Sequence, residues 1–365
     1  MILSNIWKGL TGALMALAMF FAANTVMAAS HAKKLKVAFV YVGPVGDHGW
    51  TYQHHEALKA VKAKFGDKVE TTHVENVSEG PDAERVIQQL AQKGNDLIFT
   101  TSFGFMNPTI KVAKRFPKVK FEHATGFKRA KNVSTYNTRF YEGRYVAGVA
   151  AGKLTKTNTI GYIASFPIPE VVMGINASYL GAKSVNPDIK IKVIWVSTWF
   201  DPGKEAAAAK ALVDQGADIL FQHTDSPAAM KLAEQKGILA LGQASDMKVF
   251  GPNAQYTSLV NDWSGYTISR IQAVMDGNWK STNTWGGLKD GMLTMPAWSA
   301  KVPADVAKMA DDVKAKISAG TFHPFTGPLK KQDGTVALKD GEVIGDGALS
   351  GMNYYVEGVE GSLPK

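Results

Sequence analysis

The chain has 365 residues, no cysteine and a formal charge of +9. Without cysteine there is no disulfide framework, no thiol nucleophile and no lipid-modified cysteine behind an export signal. The positive balance does not point to nucleic acid, because the lysines are spread over amphipathic segments such as "ALKAVKAKFGDKV" and "IKVAKRFPKVKF" rather than gathered in runs, which is how solvated helix faces look.

The first residues, "MILSNIWKGLTGALMALAMFFAANTVMAAS", combine Lys8, an apolar run from Leu10 to Ala23 and small residues at Ala28 and Ala29. That pattern predicts a cleaved secretory signal peptide over residues 1–28. The apolar run is shorter than the ~20 residues of a membrane-spanning helix. The mature chain, roughly 335 residues, is long enough for two domains stabilised by their cores alone, and a free protein of the periplasm is expected.

From Lys34 short apolar strands alternate with amphipathic helices. "KLKVAFVYV" predicts a buried strand, "TYQHHEALKAVKAKFG" a helix and "VETTHVENV" a strand. A helix at "GPDAERVIQQLAQKG", a strand at "DLIFTTS", a helix at "MNPTIKVAKRFP" and a strand at "VKFEHAT" come next. The alternation then restarts with "TIGYIASF", "EVVMGINASYLGAKSVNP", "KIKVIWVST", "GKEAAAAKALVDQG", "DILFQHT", "SPAAMKLAEQKG" and "ILALGQA". Strands separated by helices of this length predict βαβ units, and so an α/β fold with two Rossmann-like parallel-sheet lobes.

Ligands of such sheets sit beyond the carboxyl ends of the strands, so two facing lobes make a cleft lined by strand-end loops. The positions expected to line it are residues 41–50, 102–105, 125, 166–176, 198–201, 223–226 and 244–247. Trp50 and Phe103 fall in the first half, Trp199 in the second. A single aromatic after a strand is more often a lid on its own core than a ligand contact, but one tryptophan per lobe suits a flat ring clamped between two aromatic faces. Asp225, Asp246 and Asn261 could accept from ring N–H groups or bond hydroxyls. Asp225 in "DSPAAMKLA" also reads as a helix N-cap, and Asn176 as a surface polar residue.

Other chemistries fit less well. There is no GxSxG elbow, and Asp47 next to His48 says nothing of catalytic geometry. His48, His54 and His55 lack the i, i+4 histidine pair of a zinc helix. "GPVGDHG" lacks the order of a phosphate loop, and Pro44 removes an N–H such a loop would use. No metal or cofactor is expected.

Several segments in order carry a family resemblance: "GDHGWTYQHHEAL", "FTTSFGFM", "RFYEGRYVAGVAAGKL", "IGYIASFPIPEVVMGINA", "STWFDPGKEAAAAKALVDQGADILF" and "GMNYYVEGVEG". The chain resembles the basic membrane protein family of substrate-binding proteins that serve ABC importers, commonly for purine nucleosides or bases. The resemblance implies a type I periplasmic binding protein fold with a hinge, and crossings near Asn137, Asn261 and Trp285. Lobe 1 would span 35–136 and 261–284, and lobe 2 would span 137–260 and 285–365. It further implies a purine between Trp50 and Trp199, with Asp246 as an acidic group after the last strand. Tyr41 and Asn261 stand where nucleoside-binding relatives carry an acidic residue and a lysine, which favours a free base such as adenine or hypoxanthine. The expected partner is a permease of the inner membrane, the expected state a monomer, and the expected role not enzymatic. Alternatives are a secreted purine-processing hydrolase using Asp47 or Asp246, and a ligand-sensing subunit for a membrane receptor.

Overall fold

The structure, a computed structural model, describes residues 34–364, so the expected signal peptide at 1–28 lies outside the described residues. The alternation read from the sequence builds two sheets. The first half supplies β1 (Leu35–Val40), α1 (Trp50–Phe65), β2 (Val69–Val74), α2 (Pro81–Gln92), β3 (Leu97–Thr100), α3 (Met106–Arg115), β4 (Lys120–Ala124) and β5 (Val133–Thr138). The second supplies α4 (Phe140–Leu154), β6 (Thr159–Ala164), α5 (Pro169–Lys183), β7 (Lys190–Trp195), α6 (Pro202–Asp214), β8 (Ile219–His223), α7 (Ala228–Lys236), β9 (Leu239–Gly242) and β10 (Gln255–Ser258).

The last third completes both sheets. It holds β11 (Val260–Asn261), α8 (Ser264–Met275), β12 (Asn283–Gly286), β13 (Leu293–Thr294), α9 (Ala304–Ser318), β14 (Leu329–Lys330), β15 (Val336–Leu338), α10 (Asp346–Leu349) and β16 (Val359–Glu360). The first sheet runs β12-β5-β4-β3-β1-β2 and the second β10-β9-β8-β6-β7-β16, and every pairing within them is parallel. The chain therefore passes from one sheet to the other after β5, after β10 and after β12. In each sheet the order reverses beside the first strand, between β1 and β3 and between β6 and β8, where a crevice opens at the strand ends.

Both sheets are covered on both faces, which is why their central strands read as unbroken apolar runs. Val37 and Phe39 of β1 pack under α1, while Ala38 and Val40 face α2 and α3. In the second half α4, α5 and α9 cover one face, and Leu212 of α6 and Met230 of α7 pack on the other. Local chemistry sets the helix starts: Pro202 occupies the first turn of α6, and the Asp201 carboxylate caps it by accepting from Lys204 N at 3.0 Å.

Two packing details hold the site-bearing elements in place. At Gly181 of α5, a Cβ would lie 2.1 Å from the Tyr145 carbonyl oxygen of α4, so only glycine permits this approach. Buried Glu122 of β4 accepts from Arg270 Nε, Tyr266 Oη and Trp279 Nε1, each at 2.6 Å. That ties α8 and the chain after it back to the first sheet.

Candidate ligand-binding site

A small cavity lies where the strand ends of the two sheets meet. Val42, Trp50, Ser102, Phe103 and Thr125 line it from loops of the first sheet; Ile168, Glu170, Trp199, His223, Asp225 and Gln243 line it from the second. Every one follows or ends a strand, as the crevice rule requires. Non-glycine residues with left-handed backbone gather in these loops: His48 (φ 61°), Thr125 (φ 65°), Ser197 (φ 52°) and Ala244 (φ 58°). Such conformations cost ~1–3 kcal/mol each and persist where the surroundings impose them, commonly at functional sites.

The halves are in contact around the cavity. Trp50 N donates to Asp225 Oδ1 at 3.3 Å, Trp199 Nε1 donates to Glu79 Oε1 at 3.3 Å, and Ser245 Oγ donates to the His48 carbonyl. A Cβ on Gly49 would meet the Asp225 carbonyl oxygen at 2.7 Å, so the glycine in "DHGW" marks the closest approach of the two loops.

Of the positions expected to bind ligand, Trp50, Phe103, Trp199 and Asp225 line this one cavity. Trp50 is 9 % exposed; its Nε1 donates to the Thr101 carbonyl at 2.6 Å, and its ring stands edge-on to Trp263 at 5.4 Å. Trp199 is half-buried and leans on Phe166, with ring centroids 5.0 Å apart. The helix-cap reading of Asp225 does not apply, since its Oδ1 accepts from Trp50 across the cleft and the α7 N-cap position is Pro227.

The other four do not reach the cavity. Tyr41 continues the alternation of Val37 and Phe39 one residue past β1, which turns its ring under α1 against Phe39, His55 and His73. Asn176 is buried in the middle of α5, where its Nδ2 donates to the Tyr354 carbonyl at 2.9 Å and its Oδ1 accepts from Val356 N at 3.1 Å. It fastens the C-terminal segment. Asp246 is exposed and accepts from Lys248 N at 3.0 Å and Gln255 Nε2 at 2.7 Å. Asn261 is buried in β11, its backbone N donating to the Ala244 carbonyl at 2.9 Å. Of the three histidines at 48, 54 and 55, His54 of α1 stacks on Trp263 at 4.9 Å, and burial pushes its imidazole down to about 3.

The polar residues on and beside this wall are ones that the sequence does not single out individually as ligand contacts. Glu79 Oε1 accepts from Gly104 N at 2.9 Å and from the Ser102 hydroxyl as well as from Trp199. Glu170, in the first turn of α5, sits with Oε1 3.3 Å from His223 Nε2. Gln243 accepts on Oε1 from Arg144, a fully buried guanidinium of α4 that also donates to the Gln222 carbonyl at 2.6 Å. Ser102, Thr125, Glu170 and His223 lie within the strand-end positions expected to line the cleft; Gln243 lies one residue outside them. Burial, then the charges of Asp47 and Glu205, push the Asp225 carboxyl well above the usual carboxylate range. Burial pushes His223 below the usual imidazole range, against the opposing effect of Glu170. A flat ligand can therefore meet aromatic faces from both halves and hydrogen-bonding groups around its edge.

Comparison with known proteins places this architecture. A purine-binding protein of Brucella abortus is 59% identical over 338 residues, covering 92% of this chain and 96% of that protein. A putative ABC transporter glucose-binding protein of Haloferax volcanii is 37% identical, covering 92% of this chain and 83% of its own length. Among solved structures, a solute-binding protein of an Aeropyrum pernix ABC transporter superposes with a TM-score of 0.69 at 19% identity, over 81% of this chain and 93% of that one, and shares its type I periplasmic binding protein fold. Residues 34–322 match the PnrA-like substrate-binding proteins of ABC transporters, and the chain belongs to that family.

Proposed function

We propose that the chain is the periplasmic, monomeric binding component of an ABC importer and holds a purine in the cavity between its two halves. The observation that carries this reading is that aromatic side chains from both sheets, Trp50 and Phe103 from one and Trp199 from the other, wall a single small cavity bordered by Glu170, Asp225 and Gln243. Aromatic faces grip any purine by stacking, and the polar border meets the ring edge. The naming of the Brucella relative as a purine-binding protein supports it. The three crossings would act as the hinge between lobes 35–136 with 261–284 and 137–260 with 285–365, and ligand touching both lobes would favour the closed form that a permease docks.

A free base is favoured over a nucleoside by size. The space enclosed between the two halves is small, and a ribose would add a second ring system to the one that has to fit there. Tyr41 and Asn261 carry no weight in this preference, because neither reaches the cavity. A thermal-shift panel of adenine, hypoxanthine, guanine, xanthine and their nucleosides tests the reading. At least one base is expected to raise the melting midpoint more than its nucleoside does. Stabilisation by glucose or an amino acid and by no purine would remove the proposal, and a larger shift with nucleosides would reverse the preference.

A further inference from the structure

We infer that Glu170 is the specificity-determining residue of the cavity, taking an N–H of the ligand's ring edge on its Oε2, while the side-chain amide of Gln243 donates to a ring or exocyclic acceptor. The inference rests on the purine reading above and adds to it the residue that selects the edge.

Glu170 is 8 % exposed and lines the cavity, yet only one of its carboxyl oxygens is engaged within the protein. Oε1 faces His223 Nε2 at 3.3 Å; Oε2 has no partner among the described residues. His223 is held neutral by burial. Its single proton belongs on Nε2, where it donates to Oε1 and fixes the carboxyl from behind. The remaining oxygen can only accept, and a buried acceptor left without a donor costs ~1–3 kcal/mol. A ligand N–H arriving in the cavity recovers that cost. A C–H in the same place does not.

Gln243 supplies the opposite polarity for a reason that lies one layer deeper. Arg144 is fully buried and its guanidinium can only donate, so the Gln243 oxygen must turn toward it and the NH₂ group away. Arg144 acts as a positioning residue: it keeps the glutamine amide from flipping. The cavity wall thus offers one oriented acceptor and one oriented donor. A purine edge presents the complementary pair, as an amino group beside a ring nitrogen, a lactam N–H beside its carbonyl, or an imidazole N–H beside N3.

The test is a cycle between protein and ligand, read by tryptophan fluorescence titration of the full chain with adenine, unsubstituted purine (no amino group) and 9-methyladenine (no imidazole N–H). In the wild type, removing one of these two N–H groups is expected to weaken binding tenfold or more. In Glu170→Gln the same removal is expected to cost less than about threefold, because a carboxylate acceptor has gone. Glu170→Asp, which keeps the charge and withdraws the oxygens by one methylene, is expected to behave likewise and guards against a fold defect of the glutamine variant. If both removals cost the same in wild type and variants, Glu170 does not select the edge and the inference falls while the purine reading stands. If wild type binds none of the three, the purine reading falls and takes the inference with it.

Discussion

Trp50 and Trp199 line one cavity but are held in different ways, and that difference predicts how each responds to removal. Trp50 is almost buried, hydrogen-bonded to Thr101 and packed edge-on against Trp263, so it belongs to the core of the first lobe as well as to the cavity. Trp199 is only half-buried, at the edge of the core against Phe166 and Glu79. Trp199→Ala should weaken adenine binding by ~1–3 kcal/mol, the contribution of stacking on one base, and leave the melting midpoint of the free protein nearly unchanged. Trp50→Ala should weaken binding and also lower unfolding free energy by ~3–5 kcal/mol, as for a core aromatic. Calorimetric titration paired with denaturant unfolding separates the two. Equal stability loss in both variants would contradict these distinct roles. From sequence, the two tryptophans, Phe103 and Asp225 were legible as loop residues after strands. Glu170 was legible only as one of the strand-end positions 166–176 and Gln243 not at all, because their importance comes from what His223 and Arg144 leave unpaired or force to turn.

At the scale of elements, the site depends on how closely α4 and α5 pack, since α4 carries Arg144 and α5 carries Glu170. A helical glycine replaced by alanine ordinarily gains ~1 kcal/mol. At Gly181 that gain is outweighed, because the new Cβ would sit 2.1 Å from the Tyr145 carbonyl and the obstacle is backbone. Overpacking of this kind costs ~1–3 kcal/mol or more. Gly181→Ala is therefore expected to lower the urea midpoint, whereas Gly265→Ala in α8, with no atom near its added Cβ, is expected to leave it unchanged or raise it slightly. Losses of equal size in both would show that contact with α4 is not the cause. Strands β1–β4 and β6–β9 and the helices alternating with them, α1–α3 and α5–α7, were legible within a few residues from their periodicity, whereas β5, α4, α8, α9 and α10 were not read. β10, β12 and β16 were not: "QYTS", "NTWG" and "VE" are short and carry no apolar run, and they become strands because an edge of a parallel sheet is there to receive them.

At the scale of the whole molecule, contact between the halves brings two carboxyls together. Asp47 belongs to the loop after β1 and Asp225 to the loop after β8. Burial pushes Asp47 up to about 6, although the backbone N–H groups of Gly49, Tyr52 and Thr51 work in the opposite direction. A carboxyl raised from its ordinary 3.8 binds its proton more tightly in the folded, closed chain than in the unfolded one. The stability it contributes is therefore complete below 3.8 and is lost as pH rises through about 6. Asp225→Asn removes the neighbouring charge while keeping the shape. Relative to wild type, it should gain melting temperature as pH rises from about 4 to above 6, and adenine affinity should follow the same trend. Parallel curves for the two proteins would show that the carboxyls do not share their titration across the cleft.

The sequence by itself determined the two alternating halves, their parallel sheets and the aromatic residues at the strand ends, because burial on both faces and chain reversal at each helix are local demands that periodicity records. Tertiary structure alone decided which strand-end residues meet. Tyr41 and Trp50 lie in the same loop region, yet the strand's alternation sends one ring under α1 while the helix start brings the other to the cavity. Glu170 and Gln243 stand 73 positions apart in the chain. What makes them a pair is a layer of buried partners, His223 and Arg144, whose hydrogen-bonding capacity is fixed by contacts that no local pattern encodes.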